Sequence, residues 1–293
     1  MPIIIHFITR WILVGISVVL AISLSGNTPD DSFNQQVNVR MLTDHNPIAP
    51  GDSVRIGFLF DVTSPWHLYW INPGDTGMPT RVEWTLPEGV EVGSLQFPPP
   101  KRYSSAGMVD FTMEGDFLIW TTLTTRNSIK PGETLEVSAL VSWLACNQLC
   151  VPGEKELSLK LKVESSANEK VASPDAGHFD RAIIQKLHRD SEQPQASIGN
   201  GNLWIRFPVS NLHRSDPIGA YFFPYEPLIP PSAPQILRKE DAYLILNTSV
   251  LPSYERDTSE FSGVLEVTFQ DGTHESIQID NLKLSDTSIT SPA

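Results

Sequence analysis

The sequence predicts an all-β protein of two antiparallel β-sandwiches joined by a short helical linker. Three observations carry that prediction. Apolar residues recur at every second position in many short runs, Pro and Gly punctuate those runs, and one segment breaks the rhythm with helical spacing. Composition agrees: of 293 residues, 24 are Pro, 18 are Gly and 40% are hydrophobic, enough for a packed core with many turns. At roughly 150 residues per domain the length fits two.

The elements follow in order. Trp11 to Leu24 is uncharged and mostly apolar, follows Arg10, and ends in Ser23, Ser25 and Gly26. That is the order of a signal peptide, and the run is shorter than the ~20 residues that span a membrane. Residues 1–26 are therefore expected to be a signal peptide, with a retained anchor as the alternative. Residues 27–167 read as the first sandwich. Val54, Ile56, Phe58, Phe60 and Val62 alternate with Arg55, Gly57, Leu59 and Asp61. Val82 and Trp84, Phe117 to Leu123, Leu135 to Trp143, and Leu157 to Val163 supply further strands. Pro50-Gly51-Asp52, Asn72-Pro73-Gly74-Asp75, Lys130-Pro131-Gly132-Glu133 and Pro152-Gly153 read as the turns between them.

Residues 168–195 read as the linker. Ser173-Pro174-Asp175 is a helix start, and Phe179, Ile183, Ile184 and Leu187 share one helical face, predicting a packed helix over about 173–189. Residues 196–287 read as the second sandwich. Leu203, Ile205, Phe207 and Val209 alternate, Tyr243 to Leu246 is apolar, and Asp271-Gly272 between two alternating runs predicts a two-residue hairpin. The proline-aromatic stretch 221–234 is expected at an edge or in a loop, because proline cannot sit in a central strand. Residues 288–293 are a tail.

Charge and cysteine count exclude several functions. Lys plus Arg is 21 and Asp plus Glu is 34, a net charge of −13. A nucleic-acid binder needs a basic face instead. Two cysteines are too few for a disulfide-dense scaffold or a four-thiolate zinc site.

Those two, Cys146 and Cys150, stand in VSWLACNQLCVPGE. Three intervening residues cannot join distant strands across two sheets. On a helix the pair would be poorly oriented for a bond; opposite each other on a three-residue hairpin it would be well placed. Such a bond closes a small loop, worth only about 2 kcal/mol, and an exposed tight-loop disulfide is readily reduced. Spacing alone leaves three readings open: a redox couple, a structural bridge, or a metal site. The seven histidines are scattered, and Met108 and Met113 read as core or loop residues.

The surroundings of the pair carry a resemblance. WLACNQLCVPGE resembles the cysteine motif in the amino-terminal domain of the DsbD/ScsB thiol:disulfide interchange proteins. So do SPWHLYWINPGDTGMPT (64–80), with its H-x-Y-x-x-N-P-G-D-x-G pattern, and FPPPKRYSSAGMVDFTMEGDFLI (97–119). AYFFPYEPLIPPSAPQ (220–235) resembles the second sandwich of ScsB-type proteins. The resemblance spans about 35–284. It implies immunoglobulin-like sandwiches, a periplasmic location, and a Cys146/Cys150 pair that takes electrons from a membrane carrier and reduces thioredoxin-like exported proteins, without a cofactor or metal. It implies Cys150 as the attacking thiolate. It also implies a shielding loop at Lys101–Gly107, with Arg102, Tyr103 and Gly107 in it and Tyr103 as the covering side chain. His67 and Asp75 belong to the shared motif and are near-site candidates. The family's membrane helices and thioredoxin-like domain are missing from the sequence, so the electron supply is expected to be a separate DsbD/CcdA-like protein. The rival readings are a non-catalytic binding module with a structural disulfide, presenting residues 221–234, and a copper-handling protein.

Overall fold

The period-2 runs become the strands of two immunoglobulin-like sandwiches. A computed structural model describes residues 36–165, 171–187, 191–214, 216–254 and 259–285. The expected signal peptide (1–26) and tail (288–293) lie outside the described residues. In the first half, strands run β1 (Val37–Thr43), β2 (Ser53–Val62), β3 (Leu68–Gly74), β4 (Arg81–Thr85), β5 (Val90–Val92), β6 (Lys101–Ser105), β7 (Met108–Met113), β8 (Gly115–Thr125), β9 (Thr134–Cys146) and β10 (Cys150–Lys162). They form three antiparallel sheets ordered β1-β2-β8-β5, β10-β9-β4 and β3-β7-β6.

Alternation decides what each face meets. Phe58 and Phe60 of β2, Ile119 of β8, and Ala139, Val141 and Trp143 of β9 share one buried cluster. Phe60 stacks on Phe117 and meets Trp143 edge-on, and each such burial stabilises the fold by about 1.5–3 kcal/mol. On the outer side, the short helix α1 (Ala176–Ala182) seats Phe179 against Leu42 and Leu118. Arg55 lies over that ring and pairs with Asp44 and Asp180.

The second half adds β11 (Gln185–Lys186), β12 (Gln195–Gly199), β13 (Asn202–Pro208), β14 (Pro217–Pro224), β15 (Ile236–Glu240), β16 (Tyr243–Ser249), β17 (Glu260–Phe269) and β18 (His274–Lys283). Its two sheets are ordered β11-β18-β17-β14 and β12-β13-β16-β15. Leu203, Ile205 and Phe207 face Phe222, Leu265 and Val267 across the core. The proline-aromatic segment begins in β14, which is an edge strand as expected.

Four local expectations are corrected. The helix stops at Ala182: Ile183 is extended, and Gln185–Lys186 pairs in parallel with β18, so Ile184 and Leu187 do not lie on it. The turn expected at Asn72-Pro73-Gly74-Asp75 falls instead on the end of β3, which runs through Gly74, and Pro152-Gly153 is not a turn but lies inside β10. That strand is at a sheet edge, where a proline is tolerated. The Asp271-Gly272 hairpin turns through three residues, closed by the Phe269 N–H donating to Thr273 O, one more residue than the dipeptide suggested.

The two sandwiches meet through aromatic rings. Phe111 of β7 packs against Tyr221 and Phe223, and Trp70 of β3 against Phe223 and Tyr225. The Asn72 side-chain amide donates to Pro224 O and Glu226 O. The three-stranded sheet β3-β7-β6 is thus pressed between the cysteine hairpin's sandwich and the second one.

Candidate functional site

The cysteine pair sits where a long β-hairpin closes. Cys146 ends β9 and Cys150 begins β10, directly opposite each other, with Asn147-Gln148-Leu149 as an exposed loop between them. They are disulfide-bonded, with Cα atoms 4.1 Å apart. The closeness has a backbone cause. The Cys146 N–H donates to His67 O, and Cys146 O accepts from the His67 N–H, both at 3.0 Å. Its polar groups therefore point away from Cys150, and the cysteines face each other as a non-hydrogen-bonded pair, the closer of the two antiparallel arrangements. The two cysteines differ in exposure: Cys146 is 2% exposed, whereas Cys150 is exposed. Nearby, Gly153 lies opposite Trp143, and a Cβ there would stand 2.6 Å from the indole. Glycine is what lets that large ring lie across the neighbouring strand.

His67 is the other neighbour of Cys146. Residues paired across an antiparallel ladder project to the same face, so the imidazole and the buried cysteine side chain leave the ladder on one side. His67 is 3% exposed. The Tyr103 ring lies 4.8 Å from it and the Tyr69 ring 5.5 Å, edge-on. Burial holds the imidazole below its ordinary pKa, against the opposing pull of Glu114 and Asp110. Burial likewise pushes the Tyr69 hydroxyl up.

Lys101–Gly107 is no irregular loop but the outer strand and turn of a hairpin, β6 pairing with β7. Its tip, Ala106-Gly107, has φ of +52° and +83°. A two-residue turn of this kind needs left-handed backbone at both positions, which Gly107 adopts freely. Arg102 and Tyr103 fall on opposite faces. Tyr103 lies over His67, while Arg102 sits 5.4 Å over the Tyr221 ring of the second sandwich. Asp75 clasps the hairpin near its tip: its N–H donates to Val109 O, and its carboxylate accepts the Val109 N–H at 2.8 Å. Thr76 donates through N–H and hydroxyl to Asp110. Beside Tyr103 a cleft of about 390 Å³ opens, lined by Pro65, Trp66, Lys101 and Glu114 among others.

The fold thus gathers Cys146, Cys150, His67 and Tyr103; Arg102 braces the hairpin against the second sandwich, Gly107 forms its tip, and Asp75 clasps it next to that tip. Tyr69 and Tyr221 were not singled out from the sequence. Tyr69 carried a signal, since it stands two residues from His67 in an extended run and so shares its face. Tyr221 carried none. Among the described residues, no group of three or more His, Cys, Asp or Glu is arranged to hold a metal ion.

Residues 38–162 match the family model of the N-terminal domain of thiol:disulfide interchange protein DsbD. The crystal structure of the N-terminal periplasmic domain of ScsB from Proteus mirabilis is similar over 88% of this chain and 97% of that one, at 16% identity and a TM-score of 0.57. At that identity the likeness is one of fold. The major pilin subunit BcpA of Bacillus cereus matches over 85% of this chain and 67% of that one, at 10% identity, with a TM-score of 0.28, too low to carry an argument. No curated protein matches the sequence.

Proposed function

We propose, from the match of residues 38–162 to the N-terminal domain model of thiol:disulfide interchange protein DsbD, that Cys146 and Cys150 are a working exchange couple in an extracytoplasmic protein. The couple receives electrons from a DsbD/CcdA-like membrane carrier and passes them to thioredoxin-like exported proteins. The observation that carries this reading is the asymmetry of the pair, one cysteine buried and one exposed at the tip of a hairpin. In the reduced state the Cys150 thiolate attacks the partner's disulfide, forming a mixed disulfide and releasing one partner thiolate. Cys146 then attacks the Cys150 sulfur and releases the second. Two electrons and two protons leave the couple, and the partner gains both. The β6–β7 hairpin, through Tyr103, shields the bond from stray thiols until a partner displaces it.

Titration of the folded protein with dithiothreitol should give a potential above the ~−300 mV of inert structural disulfides. A bond that resists reduction until the chain unfolds would overturn the proposal. Cys146→Ala should trap partners through Cys150. Trapping only by Cys150→Ala would reverse the assignment. Partner capture that survives replacing both cysteines with Ser would favour the binding-module reading.

A further inference from the structure

We propose that His67 is the proton acceptor that lets buried Cys146 resolve the mixed disulfide. The inference rests on the exchange reading above and adds a proton path to it. The resolving step needs a thiolate at Cys146, and a thiol that is 2% exposed has little water to receive its proton. The thiolate, not the thiol, is the nucleophile, so the deprotonation sets the pace of release.

Of the two residues paired with Cys146 across its ladders, Cys150 and His67, only His67 is a base. His67 is held there by two backbone hydrogen bonds of 3.0 Å, with its side chain on the same face. The ring's orientation is set by aromatic neighbours from two strands, Tyr69 of β3 and Tyr103 of β6. Two carboxylates act on it, Asp110 of β7 and Glu114 just beyond β7. Asp110 is held by Thr76, and Glu114 pairs with Lys101 at 3.0 Å. The Tyr69 phenol is pushed away from ionising by its burial. Burial keeps the imidazole unprotonated at neutral pH and so ready to accept. The two carboxylates stabilise the imidazolium once it forms.

The step balances as follows. A ring nitrogen of His67 takes the proton from the Cys146 thiol. The resulting thiolate forms the bond to the Cys150 sulfur, and the bond from Cys150 to the partner sulfur breaks. The departing partner thiolate takes up a proton as the imidazolium gives one back. Electron transfer in the opposite direction runs the same proton path in reverse.

The test uses the reduced full chain and 5,5′-dithiobis(2-nitrobenzoate), read by stopped-flow absorbance. Attack by Cys150 releases one thionitrobenzoate, and resolution by Cys146 releases the second. His67→Phe keeps a stacked ring and removes the base. The first release should match the unaltered protein, and the second should slow by at least about 10²-fold, the low end for general base catalysis. The second release of the unaltered protein should level off below the ordinary thiol range, whereas that of the variant should keep rising to pH ~8.5. His67→Gln, closer in polarity, is measured alongside, and the first release reports in each case that the fold is intact. Second releases that superpose on the unaltered protein at every pH would overturn the role of His67 while leaving the exchange reading standing. If the folded, reduced protein releases no thionitrobenzoate at all, both fail.

Discussion

Burying an imidazole beside a disulfide makes stability depend on pH in a definite direction. The folded-state pKa of His67 lies below its ordinary value because burial disfavours the charged form. The unfolded chain therefore binds the extra proton first. The favourable contribution is complete above about pH 6.5 and is lost as pH falls from there through the folded-state value. The melting temperature of the unaltered protein should drop between pH 7.5 and 5.5, and that of His67→Phe should drop less. Equal slopes would mean the ring titrates as freely in the folded chain as in the unfolded one. Asp44 stays out of this window. Burial raises its pKa, but hydrogen bonds from Arg55 and His45 more than offset that, leaving it lowered, so its effect appears only in stronger acid. Glu266 is raised by burial and runs in the opposite sense, but it is common to both proteins and cancels in the difference.

In the exchange reading proposed above, the hairpin of β6 and β7 guards the disulfide, and Asp75 clasps it near the tip through Val109. Asp75→Ala leaves the Val109 N–H, now inside the fold, without its carboxylate acceptor. That should cost about 1–3 kcal/mol and speed reduction of the folded disulfide by glutathione, followed by thiol alkylation and mass spectrometry. Asp75→Asn keeps an acceptor oxygen and should stay near the unaltered rate; if both variants reduce like the unaltered protein, the hairpin does not guard the bond. Elements differ in how far they were legible. The cysteine hairpin followed from spacing, because three residues between facing cysteines leave few geometries. The part proposed for Lys101–Gly107 rests only on family resemblance, because β6 is exposed along its whole length and has no alternation to read. Pro152-Gly153 misled because the dipeptide marks turns in general, while here an edge position and the Trp143 ring opposite explain both residues. The helix was overextended because Ile184 and Leu187 fit its period, yet the chain there pairs with β18 instead.

Across the whole molecule, the two sandwiches are coupled by rings that belong to both. Phe223 comes from the second sandwich yet sits in the cluster of the first, against Trp70 and Phe111. Phe223→Ala should cost about 3–5 kcal/mol and should lower a single calorimetric transition. Two transitions, of which only one moves, would show that the halves unfold independently. This coupling was invisible to periodicity, since Phe111 and Tyr221 meet across more than a hundred residues and each looks like ordinary strand filling. Arg102 over Tyr221 extends the same brace to the hairpin. Pro152 has a consequence at this scale too. Because Cys146 and Cys150 face each other without mutual hydrogen bonds, alternation puts the Leu144–Pro152 pair in the same state, so the nitrogen of Pro152 looks outward from the free edge of β10. A docking chain that tried to zip its backbone onto that edge, two residues from Cys150, would find no donor there. With that donor missing, the edge beside Cys150 offers fewer backbone hydrogen bonds to a docking chain, and in the exchange reading proposed above a departing partner has correspondingly less intermolecular ladder to unpick.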